Sequence, residues 1–154
     1  PGMTVGEVGA GSGYLSRFLV GKVGAEGRVL ANELEPKMVD YMRARAAKEG
    51  LKNFSTIKGT SVSTGFDAAA LDAVAAVYSF SFFDHPAEML KSINDSLKPN
   101  GLLLIVDSPR EGLSASSPGM DADEVVALAA AAGFNRVNEN GVVPGHYAII
   151  FRKK

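Results

Sequence analysis

The stretch that decides the fold is Thr4-Val-Gly-Glu-Val-Gly-Ala-Gly-Ser-Gly-Tyr14, near the start of the 154-residue chain. A short apolar run ends at Gly9, and glycine then recurs at every second position through Gly13. Glycine adopts backbone conformations that other residues avoid, so such a loop can turn sharply and present bare amides to a ligand. The pattern predicts a strand from Met3 to Gly9, followed by a loop against which a ligand lies.

Helical spacing of apolar residues after the loop predicts a first helix from Gly13 to Val23. A glycine-bounded turn then leads to a second strand from Arg28 to Asn32. Glu33 follows this strand about twenty residues after the glycines, where an acidic side chain binds a ribose diol in dinucleotide-type folds. The order strand, glycine loop, helix, strand and acid therefore indicates a nucleotide-like ligand.

The rest of the chain alternates strands and helices with short connections, which predicts a mainly parallel α/β sheet with helices on both faces. The expected strands are Asn53–Lys58, Leu71–Tyr78, Leu102–Val106, Asn135–Asn140 and His146–Arg152. The expected helices run from Pro36 to about Gly50, from Pro86 to the stop at Lys98-Pro99-Asn100-Gly101, and from Val125 to Ala132. Because the last two strands follow each other directly, they must pair as a hairpin, with the final strand antiparallel. The loop Ser108–Gly119 is long enough to be functional.

Composition limits the function classes. The 16 basic and 17 acidic residues give a net charge of -1, so no global field favours nucleic acid or an anionic membrane. The absence of cysteine excludes disulfides, thiolate metal sites and thiol nucleophiles. No apolar run approaches about eighteen residues and no leader pattern is present, so we expect a single cytoplasmic domain over residues 1–154. Because the chain starts at Pro1 instead of methionine, we expect an upstream segment to be missing from this sequence.

The spacing Glu7-x-Gly9-x-Gly11-x-Gly13 resembles motif I of the class I S-adenosylmethionine-dependent methyltransferases. A nicotinamide or flavin fingerprint would need a third glycine at position 14 or 16, where the chain has Tyr14 and Ser16. The similarity continues, in family order, through three further segments: Leu30-Ala-Asn-Glu-Leu-Glu-Pro36, Ser96-Leu-Lys-Pro-Asn-Gly101 and Tyr147-Ala-Ile-Ile-Phe-Arg152. The resemblance implies a doubly wound, seven-stranded sheet of order 3-2-1-4-5-7-6.

The resemblance also implies the cofactor S-adenosylmethionine, with S-adenosylhomocysteine as product, bound at the carboxyl ends of the strands. Glu33 would accept hydrogen bonds from both ribose hydroxyls, and Leu34 would flank the adenine. Glu7 would orient the glycine loop or meet the cofactor's amino group through water. The expected contact residues are Glu7, Gly9, Ala10, Gly11, Gly13, Glu33, Leu34, Thr60, Ser61, Tyr78 and Ser79.

Three residues are candidates for a catalytic base, which is needed only when the acceptor arrives protonated. His85 lies at a helix start, His146 opens the last strand, and Asp107 ends the fifth. No metal site is expected. The phenylalanines Phe80, Phe82 and Phe83 are expected in the core or in a subunit contact, and an apolar cavity mouth is the alternative.

The expected function is transfer of a methyl group to a small-molecule acceptor. The usual amino-methylating nucleic-acid sequence Asn-Pro-Pro-Tyr does not follow the fourth strand. The alternative is a non-catalytic or truncated domain that binds S-adenosylmethionine or S-adenosylhomocysteine, because segments from which the family takes substrate contacts are short or absent. A homodimer would be one way to complete an open site.

Overall fold

A computed structural model describes residues 1–110, 119–140 and 144–154, with the backbone alone at 138–140. The strands are β1 (Thr4–Val8), β2 (Arg28–Glu33), β3 (Phe54–Lys58), β4 (Leu71–Val77), β5 (Leu97–Asp107), β6 (Phe134–Asn140) and β7 (Tyr147–Lys153). The helices are α1 (Tyr14–Val23), α2 (Pro36–Glu49), α3 (Pro86–Ser96) and α4 (Ala122–Ala131).

The described strands form one sheet in the order β3-β2-β1-β4-β5-β7-β6. Strands β1 to β5 pair in parallel, and β7 runs antiparallel to both β5 and β6. The predicted fold class, strand order and antiparallel final strand are therefore confirmed. Strand β1 has β2 on one side and β4 on the other, so the order of the strands reverses beside it.

Alternation along the strands divides the core between the two faces of the sheet, because successive side chains point to opposite faces. In β2, Val29 packs with residues of α1, and Ala31 packs with Met42 of α2. Leu30, between them, contacts the larger cluster that β4, β5, β7, α3 and α4 build on the other face. The helices thus cover the sheet from two sides and leave the carboxyl ends of its parallel strands open for a site.

One boundary differs from the prediction by five residues. Strand β5 begins at Leu97 instead of Leu102, and it includes the Lys98-Pro99-Asn100-Gly101 segment expected to be a stop. Leu97 pairs with Leu71, and the register shifts before the next pair. Asn100 has a φ of 62°, so the turn-forming residues are accommodated in an irregularity within the strand.

Two expected connections fall partly outside the described residues. These are positions 111–118 of the Ser108–Gly119 loop and positions 141–143 of the final hairpin. Among the described helices, none combines the length and apolar character needed to cross a membrane. Within the same ranges, no cluster of His, Asp and Glu has the arrangement of a metal site.

Candidate active site

A cavity of about 260 Å³ opens at the carboxyl ends of β1, β2 and β4. This is the point where the strand order reverses, and doubly wound sheets bind their ligands at such a point. Larger depressions of about 360 and 470 Å³ lie over α2 and β3 and between α3 and α4, away from this edge. The position of the smaller cavity makes it the candidate site. Its lining consists of Gly9, Asn32, Glu33, Leu34, Tyr78, Ser79, Phe82 and Phe83.

The three glycines of the loop have different surroundings. A Cβ atom on Gly9 would lie 2.6 Å from the Cβ atom of Ser79, so only glycine lets the loop approach the end of β4. A Cβ atom on Gly11, whose φ is 55°, would have nothing within 4 Å. Gly13 faces away from the cavity, because its Cβ atom would lie 2.9 Å from Sδ of Met42. Gly11 is therefore open on its side-chain side, although it does not line the cavity, whereas Gly13 allows the loop to pack on α2.

Glu33 connects the glycine loop to the end of β2. Its Oε2 accepts a hydrogen bond of 2.7 Å from the amide of Gly11. Its Oε1 accepts bonds of 2.6 and 3.2 Å from the amides of Leu34 and Glu35. The carboxylate is thus fixed in the cavity wall by three backbone donors, in the position from which it was predicted to bind a ribose.

Glu7 is buried on β1 and does not line the cavity. The hydroxyl of Ser16, in the first turns of α1, donates a hydrogen bond to its Oε2. Burial is the main cause that raises the pKa of Glu7, the hydrogen bonds from Ser16 lower it, and the charge of Glu33 raises it further. By joining β1 to α1 on either side of the glycine loop, Glu7 has the geometry for the predicted orienting role.

Other predicted cofactor residues hold the backbone around the cavity. The amide of Ala10 donates to the carbonyl of Asn32 over 2.9 Å, and the Ser79 hydroxyl donates to the carbonyl of Val8 over 2.8 Å. Thr60 and Ser61 lie outside the cavity lining. The amide of Thr60 donates to the carbonyl of Ser63, so this segment forms a local turn.

Asn32 lines the cavity and was missed by the sequence prediction. Its side-chain amide donates a hydrogen bond of 2.6 Å to the carbonyl of Thr64, so it also anchors the loop after β3. The available indication was its position directly before Glu33, at the end of a strand that was predicted to reach the site. A polar residue buried there needs a partner, and Thr64 supplies it.

The opposite wall of the cavity is aromatic. Tyr78, just after β4, has a φ of 52° and is 47% exposed. A single 3-10 turn, Phe80–Phe82, follows. Phe80 is 0% exposed and belongs to the core, as predicted, but Phe82 is 58% exposed and lines the cavity together with the half-buried Phe83. The core interpretation therefore holds for Phe80, and the cavity-mouth alternative fits Phe82.

Asp107, one of the candidate bases, is buried beneath this wall. Its Oδ2 accepts a hydrogen bond of 2.9 Å from the amide of Ser81. Its Oδ1 accepts bonds of 3.2 Å from the Ser81 hydroxyl and 2.8 Å from the amide of Ser108. The carboxylate thus accepts from three donors, is buried and lies outside the cavity lining. This geometry is that of an anchor for the 3-10 turn.

The two histidines occupy different environments. Nδ1 of His146 lies 2.7 Å from the hydroxyl oxygen of Ser108. The ring of His146 also contacts Tyr78 edge to face, with centroids 5.1 Å apart and an interplanar angle of 74°. His85 is exposed at the start of α3, makes no side-chain capping bond and does not line the cavity. Neither histidine lines the cavity, but His146 contacts Tyr78, which does.

Comparison with known proteins identifies the family. The sequence model of the family described as "Methyltransferase domain" matches residues 5–101, more than half of the chain. The chain is 29% identical over 108 residues to a ubiquinone/menaquinone biosynthesis C-methyltransferase of Legionella pneumophila, which covers 70% of this chain and 43% of that protein. It is 30% identical over 100 residues to an aklanonic acid methyltransferase of a Streptomyces species, with coverage of 65% and 46%. The chain therefore spans less than half the length of these curated relatives.

A solved structure extends the similarity to the whole chain. A crystal structure of an S-adenosylmethionine-dependent methyltransferase from Aquifex aeolicus superposes with a TM-score of 0.92 at 25% identity. The match covers 99% of this chain and 83% of that one. Together with the glycine loop, Glu33 and the antiparallel β7, these matches show that the chain belongs to the class I S-adenosylmethionine-dependent methyltransferases.

Proposed function

We propose that this domain binds S-adenosylmethionine and transfers its methyl group to a small-molecule acceptor. The observation that carries the proposal is the cavity at the reversal of strand order. There, Glu33 is fixed by three backbone amides beside the open edge of Gly11. A carboxylate held in place beside a glycine loop is suited to a ribose diol.

The residues on this side of the cavity fit the cofactor. Glu33 would accept hydrogen bonds from the ribose hydroxyls, and the exposed side chain of Leu34 would cover the adenine. Gly11 would let the chain pass close to the ligand, and Gly9 would let the loop reach Ser79. The bound cofactor supplies an electrophilic methyl group on a positively charged sulfur. The protein has to hold the two reactants together and exclude water.

The aromatic wall supports an acceptor with an apolar, flat portion. Tyr78 and Phe82 expose large ring surfaces at the cavity mouth, and Phe83 contributes a third ring. Packing an acceptor against such rings orients it and removes water. Positioning of this kind contributes roughly 7 to 11 kcal/mol in favourable systems. The near-neutral net charge also supports a small molecule over a nucleic acid.

The names of the relatives point in the same direction. One is a C-methyltransferase of ubiquinone and menaquinone biosynthesis, and another is an aklanonic acid methyltransferase. Both names describe small-molecule reactions, and the first specifies carbon as the methylated atom. They support a small-molecule acceptor for this chain, with C-methylation as the first reaction to test.

Calorimetric titration with S-adenosylmethionine, S-adenosylhomocysteine and NAD tests the cofactor. We expect dissociation constants in the micromolar range for the adenosyl ligands and no binding of NAD. A folded protein that binds none of the three would contradict the proposal. The Glu33→Ala variant serves as the site control, because its loss of binding locates the ligand at the end of β2.

Transfer is then measured with methyl-labelled S-adenosylmethionine and two acceptors, demethylmenaquinone and aklanonic acid. Label in either product supports the proposed methyl transfer activity. Cofactor binding without label transfer to these acceptors favours the non-catalytic binding domain. The Phe82→Ala variant should keep the cofactor affinity but lose transfer, because Phe82 lies on the aromatic side of the cavity.

A further inference from the structure

Ser108 and His146 meet across the β5–β7 pair. The antiparallel register places Asp107 opposite Tyr147, so the residues one step further out, Ser108 and His146, face each other at the carboxyl end of β5. The Ser108 oxygen and Nδ1 of His146 are 2.7 Å apart, although the residues are 38 positions apart in sequence. The His146 ring contacts Tyr78, which lines the cavity, although His146 itself is not part of the lining.

Ser108 is a rigid partner for the imidazole. It is buried, its amide donates to Asp107 over 2.8 Å, and its carbonyl accepts a 3.2 Å bond from the amide of Met120. Both backbone groups are therefore fixed, and the side chain is directed at His146. Tyr78 packs against the imidazole as well, and its own amide donates to the carbonyl of Val106 over 2.8 Å. The His146 ring is thus held on two sides.

The charge of Asp107 favours one tautomer of His146. A neutral imidazole carries a proton on one nitrogen, and the hydrogen bond made by the other nitrogen decides which. The Asp107 carboxylate accepts a hydrogen bond from the backbone amide of Ser108, so its negative charge lies close to the Ser108–His146 contact. A nearby negative charge favours an N–H group of His146 directed at Ser108 over a nitrogen lone pair. With the proton on Nδ1, Nε2 keeps its lone pair.

We propose that Ser108 is a positioning residue that holds His146 with its proton on Nδ1, so that Nε2 is the base for a protonated methyl acceptor. The inference rests on the proposed methyl transfer and adds the acceptor class, which is a phenol, an enol or an acidic carbon. The acceptor's proton moves to Nε2, and the electron pair that it leaves forms the bond to the methyl carbon. The electron pair of the former carbon–sulfur bond stays on sulfur, and His146 releases the proton to water.

Long-range proton–nitrogen NMR correlation spectra test the tautomer directly. The chain contains two histidines, and the exposed His85 is an internal reference. Spectra are recorded at a pH well above the ordinary imidazole value of about 6.5. We expect His146 in the Nδ1–H form and His85 in the Nε2–H form that is usual for exposed histidine. Ser108→Ala should remove the Nδ1–H signal of His146, and Ser108→Thr, which keeps the hydroxyl, should restore it.

An Nε2–H form of His146 in the unmodified protein, or an unchanged tautomer in Ser108→Ala, would overturn the inference. Access to Nε2 is tested by acylation with diethyl pyrocarbonate, with His85 as the reference. Acylation at Nε2 of His146 supports a base that an acceptor can reach. An unmodified His146 in a protein whose His85 is acylated would contradict the proposed role of Nε2. Titration of the same samples with S-adenosylhomocysteine distinguishes a wrong tautomer of His146 from a protein that does not bind the cofactor at all. The variants leave Glu33 and Gly11 intact, so cofactor binding should persist in them even if the tautomer differs.

Discussion

The two sides of the cavity are built from contacts of different range. On the cofactor side, Ser16 bonds Glu7 nine positions away, and Gly11 bonds Glu33 at a separation of 22. On the acceptor side, Ser81 bonds Asp107 at a separation of 26, and Ser108 contacts His146 at 38. The first set comes from one strand-helix-strand unit, and the second needs β4, β5 and β7 in register. The bonds around Glu7 and Glu33 are therefore local, although Ser79 also joins β4 to the carbonyl of Val8 across 71 positions, whereas the Ser81, Asp107, Ser108 and His146 contacts depend on β4, β5 and β7 together.

The buried acids of the two sides also differ. Glu7 receives hydrogen bonds from Ser16, and burial raises its pKa, so its charged form is disfavoured by the fold. Asp107 receives three hydrogen bonds from Ser81 and Ser108. We infer that Asp107 stabilises the protein and that ionised Glu7 destabilises it. Substitutions that affect one side and spare the other test this contrast.

The largest effect is expected for Asp107→Ala. The change leaves two amides and a hydroxyl without their buried acceptor, and we expect the free energy of unfolding to fall by about 3 kcal/mol. Urea denaturation measures the loss, and the exposed Asp67→Ala variant is the control. At temperatures where the variant is folded, its affinity for S-adenosylhomocysteine should stay unchanged. A matching loss of cofactor affinity would show that the two sides are coupled.

Gly11→Val should affect only the cofactor side of the cavity. A branched residue at a φ of 55° is strained, and its side chain would enter the open space beside Glu33, where we propose that the ligand lies. We expect the dissociation constant to rise about 100-fold, equivalent to about 2.8 kcal/mol. Gly24→Val is the matched control, because Gly24 has a φ of 72° and the same free space but lies at the end of α1, away from the cavity. Equal losses in both variants would mean that strain, and not intrusion, is responsible.

Glu33→Ala should weaken cofactor binding by about 1 to 3 kcal/mol, because the ribose hydroxyls lose a charged acceptor. Glu33→Gln keeps the shape and one acceptor oxygen, so its loss should be smaller. Calorimetry measures both affinities, and urea denaturation checks that the folds are intact. An unchanged affinity in Glu33→Ala would place the ribose elsewhere in the cavity.

The smallest effect concerns Glu7. Because its folded-state pKa lies above the ordinary 4.5, the native protein binds this proton more tightly than the unfolded chain does. Its contribution to stability therefore falls as the pH rises from 4.5 through the folded-state pKa. We expect Glu7→Gln to remove this decline and to be more stable than the unmodified protein at neutral pH. Unfolding curves of both proteins across this pH range measure the difference, and parallel curves would contradict the assignment.

The local side of the cavity was the predictable one. The glycine spacing and the acid at the end of β2 predicted that Gly11 and Glu33 belong to one site, and the structure joins them by a hydrogen bond. These features can be predicted because the turn chemistry and the alternation of strand and helix lie within about thirty residues. The strand order came from the family resemblance, since alternation alone leaves several orders open.

The acceptor side could not be predicted in the same way. The sequence indicates a final hairpin, but the register that pairs Asp107 with Tyr147, and thereby Ser108 with His146, depends on packing against the whole sheet. Phe80 and Phe82 are chemically equivalent, and only the 3-10 turn separates a buried ring from an exposed one. The early start of β5 was hidden because turn-forming residues can also occupy a strand irregularity.

The left-handed backbone of Tyr78 costs stability at a residue that the site uses. A tyrosine with a φ of 52° carries strain of about 1 kcal/mol or more, which the surrounding sheet has to offset. Glycine at this position would relieve the strain and also remove the ring that faces both the cavity and His146. A search for thermostable variants would therefore select Tyr78→Gly and lose the acceptor wall with it. At this residue, selection for heat resistance and selection for turnover favour different amino acids.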